Sequence, residues 1–164
     1  MKSLPTTHTK PPRTSLEVLL HYAFKLLGQR RYTTQQISKK LALKKIGTPQ
    51  EISLVLERLK QLHYLDDELF AELFIEDSLR RKPQGLKMIR NNLMKKGIPL
   101  PLIAKAFQGK NINELSVAKH ALEKKQLTIH KFPPIKQKEK LFRFMMSRGF
   151  SRTTIFKILP DMGE

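Results

Sequence analysis

The sequence predicts an all-α protein, an elongated tandem array of three three-helix repeats. Three observations carry that prediction: apolar residues recur at helical spacing along the chain, no stretch alternates with period two for long enough to make a strand, and one apolar skeleton occurs three times. In the middle copy Ile89 and Leu93 are four apart, Gly97 follows four later, and Ile103 and Phe107 are again four apart. Near the C-terminus the same spacings are filled by Leu141, Met145, Gly149, Ile155 and Leu159. Near the N-terminus Ile37, Leu41, Ile52 and Leu56 repeat them, with one extra residue between Leu41 and Ile52. The lead positions Ile37, Ile89 and Leu141 are 52 residues apart each time.

Local signals place each element. Residues 1–13 hold three prolines and no acid and read as a mobile basic tail. Thr14 with Glu17 is a capping-box pair, opening a first helix whose apolar stripe runs through Leu19, Ala23 and Leu26 to end near Gly28 to Arg31. Thr33 with Gln36 opens a second helix reaching about Lys45. Thr48, Pro49 and Glu51 open a third, with proline in the first turn, that reaches about Leu62. Asp66 is a natural cap for a fourth helix running to about Arg81, with Asp67 and Glu68 beside the positive end of its dipole and Leu65 and Phe70 at the staple positions. An acid pair at this helix start could instead bind magnesium, but no further ligand pattern accompanies it.

In the fifth helix, over 85–96, Leu86, Ile89 and Leu93 share one face, and Gly97 at C′ brings Leu93 and Ile98 to the two apolar positions of a Schellman closure. Met145, Gly149 and Phe150 repeat that arrangement. Short helices at 100–107 and 152–159 follow the two glycines. A seventh helix begins near Asn113 with Ala118, Ala121 and Leu122 on one face. Residues 127–134 are expected to be a connection broken by Pro133 and Pro134, with the eighth helix over 138–148. The expected division is a tail at 1–13 and repeats at 14–63, 64–110 and 111–164.

Composition narrows the function. With 164 residues, 40% of them apolar, the chain can bury a core. Thirty-two Lys and Arg against fourteen Asp and Glu leave a formal charge of +18, which points to a polyanionic partner. Six of the acids lie between Asp66 and Asp77, whereas 78–113 contains nine basic residues and no acid, and 18–50 contains seven basic residues and no acid. Acid-lined and basic surfaces on one array suit a partner with both signs of charge, such as a protein filament wound on nucleic acid. With no cysteine, disulfides and thiolate metal sites are excluded. No apolar run nears the roughly 18 residues of a membrane span, and the first residues lack a signal-peptide core, so the expectation is a soluble cytoplasmic protein.

Catalytic chemistry has no foothold. The histidines are scattered without metal-ligand spacing, and the chain has no phosphate-binding glycine loop, dinucleotide fingerprint or nucleophile elbow. A binding protein with no catalytic residues, metal or cofactor is expected.

The chain resembles the RecX family of regulators of the bacterial RecA recombinase. The likeness rests on Tyr64-Leu65-Asp66-Asp67 with Phe70-Ala71, on Arg81 and Gly85 leading to Ile89, Leu93 and Lys96-Gly97-Ile98, and on Arg148-Gly149-Phe150-Ser151 with Ile155. It covers about Leu16 to Leu159. The resemblance implies tandem three-helix repeats lying along the groove of the RecA filament on single-stranded DNA, where they inhibit ATP hydrolysis, coprotease activity and strand exchange in recombination, repair and the SOS response. Two departures stand out: Leu43 to Thr48 carries the extra residue and lacks the glycine closure, and Thr128 to Ile135 is proline-rich.

The candidate residues for nucleic acid and filament are Arg80, Arg81, Lys82, Lys87, Arg90, Lys95 and Lys96 in the acid-free run, with Arg148 and Arg152 beside the last glycine closure. A monomer that contacts both recombinase and single-stranded DNA is one reading, with duplex DNA left open. A helical-repeat protein that tracks phosphates without a recombinase partner is the other.

Overall fold

The computed structural model describes residues 14–159, so the expected basic tail at 1–13 lies outside the described residues. Among these residues there are nine α-helices and no strand: α1 (Ser15–Leu27), α2 (Thr34–Leu43), α3 (Pro49–Gln61), α4 (Asp67–Arg80), α5 (Leu86–Lys95), α6 (Leu100–Phe107), α7 (Glu114–Ile129), α8 (Pro134–Ser147) and α9 (Arg152–Ile158). The chain divides into two compact units, Met1–Leu65 and Asp66–Glu164.

In the first unit, Thr14, Thr33 and Thr48 each accept a hydrogen bond from the N3 amide, and Glu17, Gln36 and Glu51 each accept one from the cap amide. All three helix starts are therefore reciprocal capping boxes. The stripes they orient meet in one core of Leu19, Ala23, Ile37, Leu41, Val55, Leu59 and their neighbours, which also takes in Leu65. Removing the side chain of Leu41 or Leu59, both fully buried, would cost about 2–5 kcal/mol.

The second unit has two cores. Ala71 and Ile75 of α4 pack with Ile89 and Leu93 of α5 and Ile103 and Ala106 of α6. Ala118 and Ala121 of α7 pack with Leu141 and Met145 of α8 and Ile155 of α9. The lead positions Ile37, Ile89 and Leu141 are all buried, which is why the apolar skeleton recurs in the sequence.

Both expected glycine closures are present. Gly97 has φ +86°, its amide donates to the Met94 carbonyl at 2.9 Å, and the Ile98 amide donates to the Leu93 carbonyl at 3.1 Å. Gly149 has φ +74°, with the matching bonds from Gly149 to Met146 and from Phe150 to Met145. Ile98 and Phe150 are buried as the motif requires. The equivalent position after α2 is Lys45, held at φ +53° although it is not glycine, and the next residue, Ile46, stays 36% exposed.

One expected boundary is corrected. Residues 127–129 belong to α7 rather than to a connection, and α8 starts at Pro134 rather than at Lys138. Ile129 is only 3% exposed, so its place in the core extends α7 by a turn, while Pro134 occupies a first-turn position whose amide has no helical partner to lose.

Candidate nucleic-acid interface

The candidate residues fall into groups at the two ends of α5. Arg80 closes α4, Arg81 caps it and Lys82 follows in the turn, all exposed. That turn is pinned by the buried Pro83 and by the Gln84 amide, which donates to the Ser78 carbonyl at 3.1 Å. Arg81 Nε lies 3.2 Å from Asp77, so one of these cations is already paired, though both partners are exposed and such a pair contributes little to stability. Lys87 and Arg90 are exposed on α5 at i, i+3, away from the buried Ile89 and Leu93.

A backbone bond brings the second pair of candidates to the first group. The Gly85 amide donates to the Arg148 carbonyl at 2.9 Å, so the segment leading into α5 lies against the segment carrying Arg148 and Arg152. Arg152 is exposed at the start of α9, whereas Arg148 is half-buried with its guanidinium 5.2 Å from the Phe144 ring centre. Lys95 and Lys96 stand at the far end of α5, about 15 Å along its axis. Lys95 is exposed. Lys96 is half-buried, with its ammonium 5.4 Å from the Phe74 ring and 6.0 Å from the Phe70 ring, so its stem packs towards α4.

The acid cluster is partly matched from within. Lys105 of α6 lies 2.6 Å from Glu68, and Lys110 lies 3.6 Å from Glu76. The hydrogen bond to Glu68 holds the Lys105 ammonium above its ordinary pKa, helped by the charges of Glu68 and Glu72. Asp66 accepts from the Leu69 amide at 2.9 Å and serves as the cap its position predicts. No group of three or more His, Cys, Asp or Glu among the described residues is placed to hold a metal ion.

Sequence reasoning did not single out Glu114, which ties the two halves of this surface together. One carboxylate oxygen accepts from the Leu86 amide at the start of α5 at 3.1 Å. The other accepts from the Thr154 hydroxyl at 2.8 Å and lies 3.2 Å from the Ser151 hydroxyl, at the start of α9. A negative group between two helix N-termini is favourably placed. The available signal was its isolation: Glu114 is the only acid between Asp77 and Glu123.

Sequence reasoning also passed over a basic groove of about 590 Å³ between α7 and α8, whose walls include Lys125, Lys131, Lys140 and Arg143 and whose aromatic residues are Phe132 and Phe144. Its signal was the interleaving of lysine, arginine and phenylalanine from Lys131 to Arg148. No helix among the described residues is long and apolar enough to cross a membrane.

The fold and this surface define a strongly basic helical-repeat protein in which three-helix units follow one another along the chain. Sequence profiles for the second and third three-helix domains of RecX match residues 66–106 and 113–159. The regulatory protein RecX of Chlorobaculum tepidum is 37% identical over 137 residues, covering 83% of this chain and 82% of its own. That of Yersinia enterocolitica is 31% identical over 168 residues, covering 89% and 98%. The crystal structure of RecX from Lactobacillus salivarius superposes with a TM-score of 0.68 at 21% identity, over 90% of this chain and 96% of that one. The chain belongs to the RecX family of regulatory proteins.

Proposed function

We propose that this chain is a non-catalytic regulator that binds the RecA filament on single-stranded DNA and inhibits its ATPase, coprotease and strand-exchange activities. Membership of the family supports this reading, and one charge arrangement carries it. Within the Asp66–Glu164 unit, an acid-rich helix stands in the same three-helix core as α5, which carries the exposed cations Lys87, Arg90 and Lys95 and no acid. A recombinase filament offers both signs, protein surface and phosphate, to a ligand charged in this way. Phosphate contacts carry no sequence information, which suits a regulator that must act wherever a filament has formed.

The test is ATP hydrolysis by RecA on single-stranded DNA with and without the protein. Hydrolysis is expected to fall as the protein is added, and an unchanged rate would overturn the proposal. A Lys87→Gln, Lys95→Gln variant separates the two readings of the basic surface. It should lower the salt slope of single-strand binding by about 0.7 for each phosphate that is no longer neutralised. A filament regulator keeps part of its recombinase-dependent binding through protein contacts, whereas a plain phosphate binder loses DNA affinity and any effect on RecA in parallel. Arg90 and Lys96 are left intact because both lie over aromatic rings, Arg90 with its guanidinium 4.9 Å from the Phe107 ring centre and Lys96 over Phe70 and Phe74.

A further inference from the structure

The groove between α7 and α8 combines aromatic rings with a cluster of basic side chains. Each of its phenylalanines is flanked by two cations. The Lys140 ammonium lies 4.3 Å and the Lys131 ammonium 5.7 Å from the Phe132 ring centre. The Lys125 ammonium lies 5.6 Å and the Arg148 guanidinium 5.2 Å from the Phe144 ring centre. Both rings are half-buried and rest on the core formed by α7, α8 and α9, so they are fixed plates rather than loose side chains.

The turn that carries Phe132 is held firmly. Its amide donates to the Ile129 carbonyl at 3.0 Å, and the Gln137 side-chain amide donates to the Phe132 carbonyl at 2.6 Å and to the His130 carbonyl at 3.1 Å. Lys131 and Lys140 are exposed and unbranched, so they can swing without disturbing the plate beneath them. Close to these cations Glu139 lies 3.9 Å from Arg143, an exposed pair that leaves the groove strongly positive.

We propose that this groove is a binding site for single-stranded nucleic acid, separate from the cations of α5. A base stacks on Phe132 or Phe144, and the neighbouring phosphates lie on Lys125, Lys131, Lys140 and Arg143. The cations lie over the ring faces in this structure. An incoming base takes a ring face, and the displaced ammonium moves to the adjoining phosphate, so stacking and ion pairing together replace the cation–π interaction. Stacking plates in a basic track are how proteins hold unpaired strands without reading their sequence. A duplex hides its base faces and gains only from the cations. An acidic peptide likewise leaves the rings unused.

The chain has no tryptophan, so the Phe132→Trp variant carries a single reporter at the plate. Its fluorescence should be quenched by oligothymidylate and far less by heparin or by a duplex of mixed sequence. Equal quenching by heparin, or none by oligothymidylate, would overturn the proposal. In anisotropy titrations with labelled oligothymidylate, Phe132→Leu should weaken binding roughly 5- to 150-fold with the salt slope unchanged. The Lys125→Gln, Lys140→Gln, Arg143→Gln variant should instead lower the slope by about 0.7 for each phosphate left without its cation. Parental affinity and slope in both, with parental melting, also reject the site. These titrations contain no recombinase, and inhibition of RecA by the same variants is measured separately. Loss of the groove with inhibition retained would therefore leave the proposed function standing, and strand binding without inhibition would do the reverse.

Discussion

The Gly85 amide donates to the Arg148 carbonyl at 2.9 Å, across two three-helix cores whose facing positions are 63 residues apart in sequence. The backbones approach so closely that a Cβ on Gly85 would run into the carbonyl of Gly149. Since Gly85 has an ordinary extended conformation, with φ −65°, the requirement for glycine comes from this approach and not from the turn.

Gly85→Ala should therefore cost about 1–3 kcal/mol, the range for forcing an extra carbon into a packed site. Thermal unfolding followed by circular dichroism measures it. A melting temperature equal to that of the parent would show that the two backbones separate freely.

Glu114 holds the same junction by side chain. Glu114→Ala leaves the Leu86 amide and the buried Thr154 hydroxyl without their acceptor, at a cost of about 1–3 kcal/mol. Glu114→Gln should cost less, because its carbonyl still accepts from Leu86 while the Thr154 and Ser151 hydroxyls reorient towards its amide. Hydrogen exchange at the Leu86 amide distinguishes the two, with faster exchange expected in the alanine variant only.

The left-handed closures predict opposite effects in different repeats. Gly97→Val should destabilise by more than about 1 kcal/mol, since a β-branched residue fits poorly at φ +86°. Lys45→Gly should stabilise the first unit by up to about 1 kcal/mol, because Lys45 holds φ +53° against its own Cβ. Denaturant titrations that give the same sign for both substitutions would contradict this account.

Acid should weaken the first unit through Glu51. The Ser15 hydroxyl donates to one of its oxygens and the Thr48 amide to the other at 2.6 Å, and these bonds hold its pKa below the ordinary value, the Ser15 bond contributing most. A depressed folded pKa adds stability that is complete above the unfolded value of about 4.3 and is lost as pH falls through the folded value. The difference in melting temperature between the parent and Glu51→Gln should accordingly be constant near neutrality and shrink as pH drops below about 4. A difference that does not change with pH would remove the carboxylate from the explanation.

The existence and order of the nine helices among the described residues were legible in the chain because their signals are local, although the end of α7 and the start of α8 were not. A capping box spans four residues, a Schellman closure spans six, and an apolar stripe repeats every turn, so Thr14 with Glu17 or Leu93 with Ile98 announce themselves wherever the chain goes. The sequence by itself also determined the charge imbalance and the candidate cations. What lay beyond it depends on which distant residues meet. Glu114 reaches partners 28 and 40 residues away, and no local pattern marks them. Lys45 adopts a glycine conformation because the packing of α1, α2 and α3 outweighs its own preference, and α7 runs past its expected end because Ile129 is buried. Exposure of the cations was decided in the same way. Lys87 and Lys96 look alike in sequence, yet one projects from α5 and the other lies over two phenylalanines of α4, because only the folded chain fixes which side chains have an aromatic face beside them.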